Sequence, residues 1–147
     1  MALFPPSTNH QFQGPAIAAW FVVLAGLVTI VPGCIHYFLP DGGAGVIGGL
    51  DLSQRRETIV AIFAWMGAQQ IAQGIGYVVI GLRYRALVPL VLLLILIERS
   101  LSAYSGWFGK GSVSGHHPPE HYGSVAGAVL AALLLLVVLA RREKQGQ

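Results

Sequence analysis

Four stretches of this chain, residues 16–37, 57–82, 86–107 and 122–140, are each about as long as a bilayer's hydrocarbon core requires of a helix, roughly 20 residues, and carry almost no charge. Backbone N–H and C=O groups in hydrocarbon have no water to bond, so a segment there must satisfy itself as a helix. The expected fold is therefore all-α: an integral membrane bundle of four transmembrane helices forming a single transmembrane domain over residues 1–147. Composition agrees, since 54% of the residues are hydrophobic and 10% charged, against about a quarter charged in a typical soluble domain.

The connections carry turn chemistry. PDGGAGVIGGLDLSQRR (40–56) is a Gly-rich loop, RYR (83–85) a tight hairpin, and GKGSVSGHHPPEHYG (109–123) a second longer loop. The first fourteen residues, with Pro5, Pro6 and Gly14-Pro15, read as an irregular arm. Four spans put both termini on one side, with Arg83, Arg85, Arg141, Arg142 and Lys144; Arg55, Arg56 and Lys110 lie opposite. The excess of positive charge places the termini in the cytoplasm of a cell with this protein in its inner or plasma membrane. The net charge of +3 comes from these flanking clusters, so it is no nucleic-acid footprint. The single cysteine, Cys34, excludes an internal disulfide. Val31-Pro32-Gly33-Cys34 resembles a lipoprotein cleavage box, but no Lys or Arg precedes it as a signal requires, so Cys34 is expected to be a buried or lipid-facing thiol.

Small residues mark helix contacts. Gly67, Gly74 and Gly81 repeat every seven residues on one face of the second segment, predicting close approach of a neighbour at Gly67 and Gly74. Gly123 and Gly127 form a GxxxG at the start of the fourth, a pattern also used in dimers.

The sharpest oddity is Glu98-Arg99 in the middle of PLVLLLILIERSLSAYSGW (89–107). A charge at mid-bilayer costs about 2.5–3.5 kcal/mol on insertion scales, so it is expected to face protein. With the second and third helices as antiparallel neighbours across the RYR turn, Gln69, Gln70 and Gln73 fall at the depth of Glu98. At roughly 100° per residue the three glutamines share one arc, and Gln70, Gln73 and Tyr77 one stripe. Glu98, Ser102 and Ser105 share a face of the third helix. Arg99, turned away from Glu98, is expected to snorkel toward water or to pair with Glu98 of another subunit. The candidate binding set is Gln69, Gln70, Gln73, Glu98, Arg99, Ser102 and Tyr104.

A second constellation, His116, His117, Glu120 and His121, carries ligands suited to Zn²⁺ or another divalent transition metal, with His36 able to approach it. The plainer alternative has Pro118-Pro119 start the fourth helix, with Glu120 complementing its dipole in the first turn.

An aromatic-Leu-Pro end to the first helix (Phe38-Leu39-Pro40), a Gly-rich loop, an acidic-started and Gly-rich second helix, a basic turn (Arg83 to Arg85), a polar-centred third helix and an aliphatic fourth together resemble the small four-helix membrane proteins grouped with the DoxX-like family. Some of that group are associated with quinone-linked redox complexes, so the resemblance implies a quinone or lipid head near the polar centre.

Four functions stay open. One is a bundle binding an amphiphilic lipid or quinone-like molecule, with its head near Glu98 and Gln73. Another is a membrane enzyme on a lipophilic substrate, with Glu98 as general acid or base and Gln69, Gln70 or Tyr104 orienting the substrate. The others are an accessory subunit or homo-oligomer, within a larger membrane complex, and a metal site in the His-rich loop. The first is the working expectation, with membrane lipid and a lipophilic small molecule as partners.

Overall fold

The computed structural model describes residues 3–109, 115 and 117–145. It contains four long helices, α1 (Ala16–Phe38), α2 (Arg56–Arg83), α3 (Val88–Trp107) and α4 (Pro119–Gln145), with short 3-10 turns at Asn9–Gln11 and Arg85–Leu87. Helix α4 begins three residues earlier than the hydropathy pattern indicates, because Pro119 fits a first turn that needs no N–H, and Glu120 follows it there. Three of the four, α1, α3 and α4, are long and apolar enough to cross a membrane. Helix α2 matches them in length, but its Gln and terminal charges dilute its hydropathy. The architecture established is thus an all-helical chain with three span-like helices, which is compatible with a membrane protein.

The tightest seam joins α1 to α2, antiparallel, in a seven-residue register on both sides. Ala19 lies opposite Gly81, Gly26 opposite Gly74, and Gly33 opposite Gly67. A Cβ added to Gly74 would come 2.6 Å from the Gly26 carbonyl oxygen, and one on Gly26 2.6 Å from that of Gly74. Only glycine permits backbones this close. The contact expected at Gly67 and Gly74 is therefore present, and its partner is α1. Helices α2 and α3, expected as antiparallel neighbours across the RYR turn, touch over a short stretch only, and α3 packs chiefly on α4. A short turn fixes sequence adjacency but leaves the seam to side-chain size. The glycine face of α2 fits α1 better than it fits the large aliphatics of α3.

The two helix pairs meet over Ala18, Ala19 and Val22 of α1, Tyr77 of α2, Val88, Val91, Leu92 and Ile95 of α3, and Ala131 and Val138 of α4. Outside this core, Leu24, Leu27, Val28 and Val31, then Leu90, Leu94, Ile97 and Leu101, then Val129, Leu133 and Leu136 point outward and are exposed. Apolar faces this continuous exceed the patches a water-soluble monomer normally shows.

Both ends of α2 are finished by polar loops. Asp41 accepts backbone N–H bonds from Gly43, Gly45 and Val46 through its two carboxylate oxygens, at 2.9, 3.2 and 3.2 Å. Those donors hold its carboxyl below the ordinary value of 3.8. Gly42 and Gly43, at φ +62° and +73°, supply the left-handed turn this loop needs. At the other end, the N-terminal arm is docked against the α2–α3 turn. The Thr8 N–H donates to the Arg83 carbonyl at 3.0 Å, and Asn9 Nδ2 to the Leu82 carbonyl at 2.7 Å. The Arg85 N–H returns a bond to Asn9 Oδ1 at 3.3 Å. These contacts satisfy carbonyls that a helix C-terminus leaves orphaned.

Candidate functional site

Glu98 sits midway along α3, and its two carboxylate oxygens face different partners. Oε2 accepts from Gln73 Nε2 of α2 at 2.8 Å and, more weakly, from the Tyr77 hydroxyl at 3.4 Å. Gln73 Nε2 also donates to the Tyr77 hydroxyl at 2.7 Å, an i to i+4 pair on one face of α2. Oε1 lies 3.3 Å from a guanidinium nitrogen of Arg99, whose other terminal nitrogen donates to Glu120 Oε1 of α4 at 3.4 Å. The polar chain thus runs Tyr77, Gln73, Glu98, Arg99, Glu120 and ties three helices together.

Arg99 is held in place by its stem as well as by its charge. Its Cγ and Cδ lie over Gly127, where an added Cβ would meet them at 3.3 and 3.5 Å. Gly127 of the GxxxG therefore serves a contact within the chain, while Gly123 faces open space. Within the chain, Arg99 pairs with its own Glu98 and with Glu120. Neighbouring residues on a helix diverge at Cβ, but a long arginine side chain folds back far enough to reach both carboxylates.

Of the predicted binding set, Gln73, Glu98 and Arg99 come together. Gln69 is exposed on α2. Gln70 faces α1, its Cβ beside Gly33, and its buried Oε1 has no partner among the described residues. Ser102 is half-buried and takes no part in the bonds around Glu98. Tyr104 is exposed, with its ring beside Phe108. The rotation of about 60° about the α2 axis that separates Gln70 from Gln73 decides which helix each meets. Tyr77 and Glu120 are members that the sequence reading left out of the binding set. The Gln73–Tyr77 spacing was the available signal for the first. For Glu120 the sequence offered its place in a first helical turn and among the candidate metal ligands, and neither names Arg99 as its partner.

The candidate metal ligands of the His-rich loop are placed only in part. His116 lies outside the described residues. Glu120 is turned to Arg99, and His36 is occupied, its Nδ1 2.7 Å from the Gly42 carbonyl oxygen and its ring edge-on to Phe63. Among the described residues no three His, Cys, Asp or Glu side chains converge as a closed metal site needs. His117 and His121 remain, with Nδ1 atoms 3.0 Å apart, packed against Trp107.

Glu98 keeps 35% of its side-chain surface accessible, and Arg99 19%. An ion pair that is paired on one side and open on the other can still accept or donate bonds to a polar group arriving sideways. Comparison with family models, curated proteins and solved structures finds no match for this chain.

Proposed function

We propose that the chain is a four-helix integral membrane protein that binds the polar head of an amphiphilic small molecule, lipid or quinone-like, at the Gln73–Tyr77–Glu98–Arg99 cluster. The single observation that carries this reading is that the Glu98 side chain, although bonded to Gln73 and paired with Arg99, keeps 35% of its surface accessible. A carboxylate that served only as glue between helices would be better closed off, because each exposed oxygen in hydrocarbon goes unsolvated. Leu94 and Leu101, a turn to either side of Glu98 on α3, and the adjacent Ile97 are exposed and suit an acyl or prenyl tail.

Helix α2 crosses with the others in this proposal. Its register along the whole of α1 supports that, as does the placing of its charges, Arg56, Glu57 and Arg83, at its ends. The charge distribution supports termini in the cytoplasm and an inner or plasma membrane. The DoxX-like grouping is part of the same proposal and rests on the order of elements around Phe38-Leu39-Pro40 and the Arg83–Arg85 turn.

The test is a thermal-unfolding panel in detergent with single-tailed amphiphiles carrying hydroxyl, ammonium, phosphate or quinone heads. At least one head is expected to raise the midpoint of the wild type by several degrees, and of Glu98→Gln by much less. Equal shifts in both proteins, or no shift with any head, contradict the proposal.

A further inference from the structure

We infer that His117 and His121 form a two-imidazole chelate for a divalent transition ion of the copper or zinc type at the loop end of α4. The geometry carries this. Their Nδ1 atoms lie 3.0 Å apart. Two imidazole nitrogens each about 2.0–2.1 Å from one ion, at an angle between a right angle and the tetrahedral one, stand about 2.9–3.4 Å apart. The separation of the pair is already that of a bidentate ligand.

The rings are seated by their surroundings. Trp107 stacks on His117 with centroids 4.3 Å apart and planes 15° from parallel. The Trp107 indole N–H donates to the His121 carbonyl at 3.3 Å, fixing the last turn of α3 against the first turn of α4. His121 lies against Gly106, where a Cβ would come 2.7 Å from its Cδ2. The stacking on Trp107 and the contact with Gly106 limit ring rotation, and a preorganised chelate loses less entropy on binding. With no ion bound, one ring's Nδ1–H donates to the other's lone pair. On binding, that proton moves to Nε2 of the same neutral ring, both Nδ1 lone pairs turn to the metal, and no net proton is released. Water completes the coordination sphere, so the site is open and exchangeable. Imidazole pairs favour Cu²⁺ over Zn²⁺ in the usual affinity order.

The experiment is a titration of the full chain in detergent with Cu²⁺, on a Cys34→Ser background that removes thiol chemistry, read by tryptophan fluorescence. Trp107 touches the chelate, so it is expected to be quenched with saturation at one ion per chain, and this component should vanish in Trp107→Phe. His117→Asn or His121→Asn should weaken binding at least tenfold. Gly106→Ala, which retains both imidazoles but displaces the His121 ring, should weaken it several-fold. Electron paramagnetic resonance of the copper-loaded background protein should show two nitrogen ligands. Absence of saturation, a spectrum without nitrogen coupling, or unchanged affinity in the His117→Asn/His121→Asn double variant overturns the inference.

Discussion

Gln73 of α2 donates from Nε2 to Oε2 of Glu98 on α3 across 2.8 Å, and this bond joins the two helix pairs at mid-height. It lies on a contact that is otherwise slight, since α2 leans on α1 and α3 on α4. The acid in the middle of an aliphatic helix is therefore placed where the fold has least apolar packing to lose and most need of a directional link.

Replacing Glu98 separates acceptor from charge. Glu98→Leu removes the acceptor that Gln73 and Tyr77 share and one of the two carboxylates on Arg99, and is expected to destabilise by about 2–4 kcal/mol. Glu98→Gln retains an acceptor for the amide and is expected to cost no more than about half as much. Unfolding in mixed micelles of increasing SDS fraction measures both. Equal losses would mean that the charge of Glu98, and not its role as acceptor for Gln73, carries the contribution.

Glycine positions divide sharply along α2. Gly74→Ala drives a methyl to 2.6 Å from the Gly26 carbonyl and is expected to cost about 1–3 kcal/mol by forcing α1 away. Gly76, with nothing within 4 Å of its added Cβ, should accept alanine with no loss, or with a gain of up to about 1 kcal/mol from helix propensity. The same micelle titration distinguishes them.

The Asp41 loop should be acid-labile. Its folded carboxyl titrates below the unfolded value of 3.8, so its stabilisation is complete above that value and is lost as pH falls through the lower, folded one. Pepsin, active throughout this window, should begin to cut the 42–52 segment only as pH drops below that range. Asp41→Asn, whose amide replaces one accepting oxygen, should be cut throughout. Identical pH profiles for both proteins would show that the carboxylate does not hold the loop.

The N-terminal arm is expected to protect the α2–α3 turn. Asn9→Ala removes one bond to the Leu82 carbonyl and one from the Arg85 N–H, and should cost about 1 kcal/mol of local stability. Hydrogen exchange across residues 82–88 should quicken about five-fold, with exchange at 67–74 unchanged.

The helices were legible because their signal is simple: length and lack of charge mark them, and proline and glycine mark their ends. The heptad of Gly67, Gly74 and Gly81 also announced a close seam, but nothing in that face named its partner. Ala19, Gly26 and Gly33 carry the matching repeat on α1, and comparing the two repeats would have paired them. At the candidate site, shared depth and a shared arc brought Gln73 to Glu98 correctly and Gln69 and Gln70 wrongly, because an arc of about 100° is wide enough to face two neighbouring helices and solvent. The pairing of Arg99 with its own Glu98 was missed because the direction of its Cβ was taken for the direction of its charge. Glu120 was unreadable as its partner, since that contact depends on how α4 returns along α3.

The most direct measurement is native mass spectrometry of the protein extracted from its membrane in a polymer disc and released without delipidation. The expected result is a retained amphiphile at one per chain in the wild type, lost in Glu98→Gln and reduced in Gln73→Leu, with both variants still folded. A wild type free of any such adduct, or an adduct retained equally by Glu98→Gln, would contradict a binding role for the cluster.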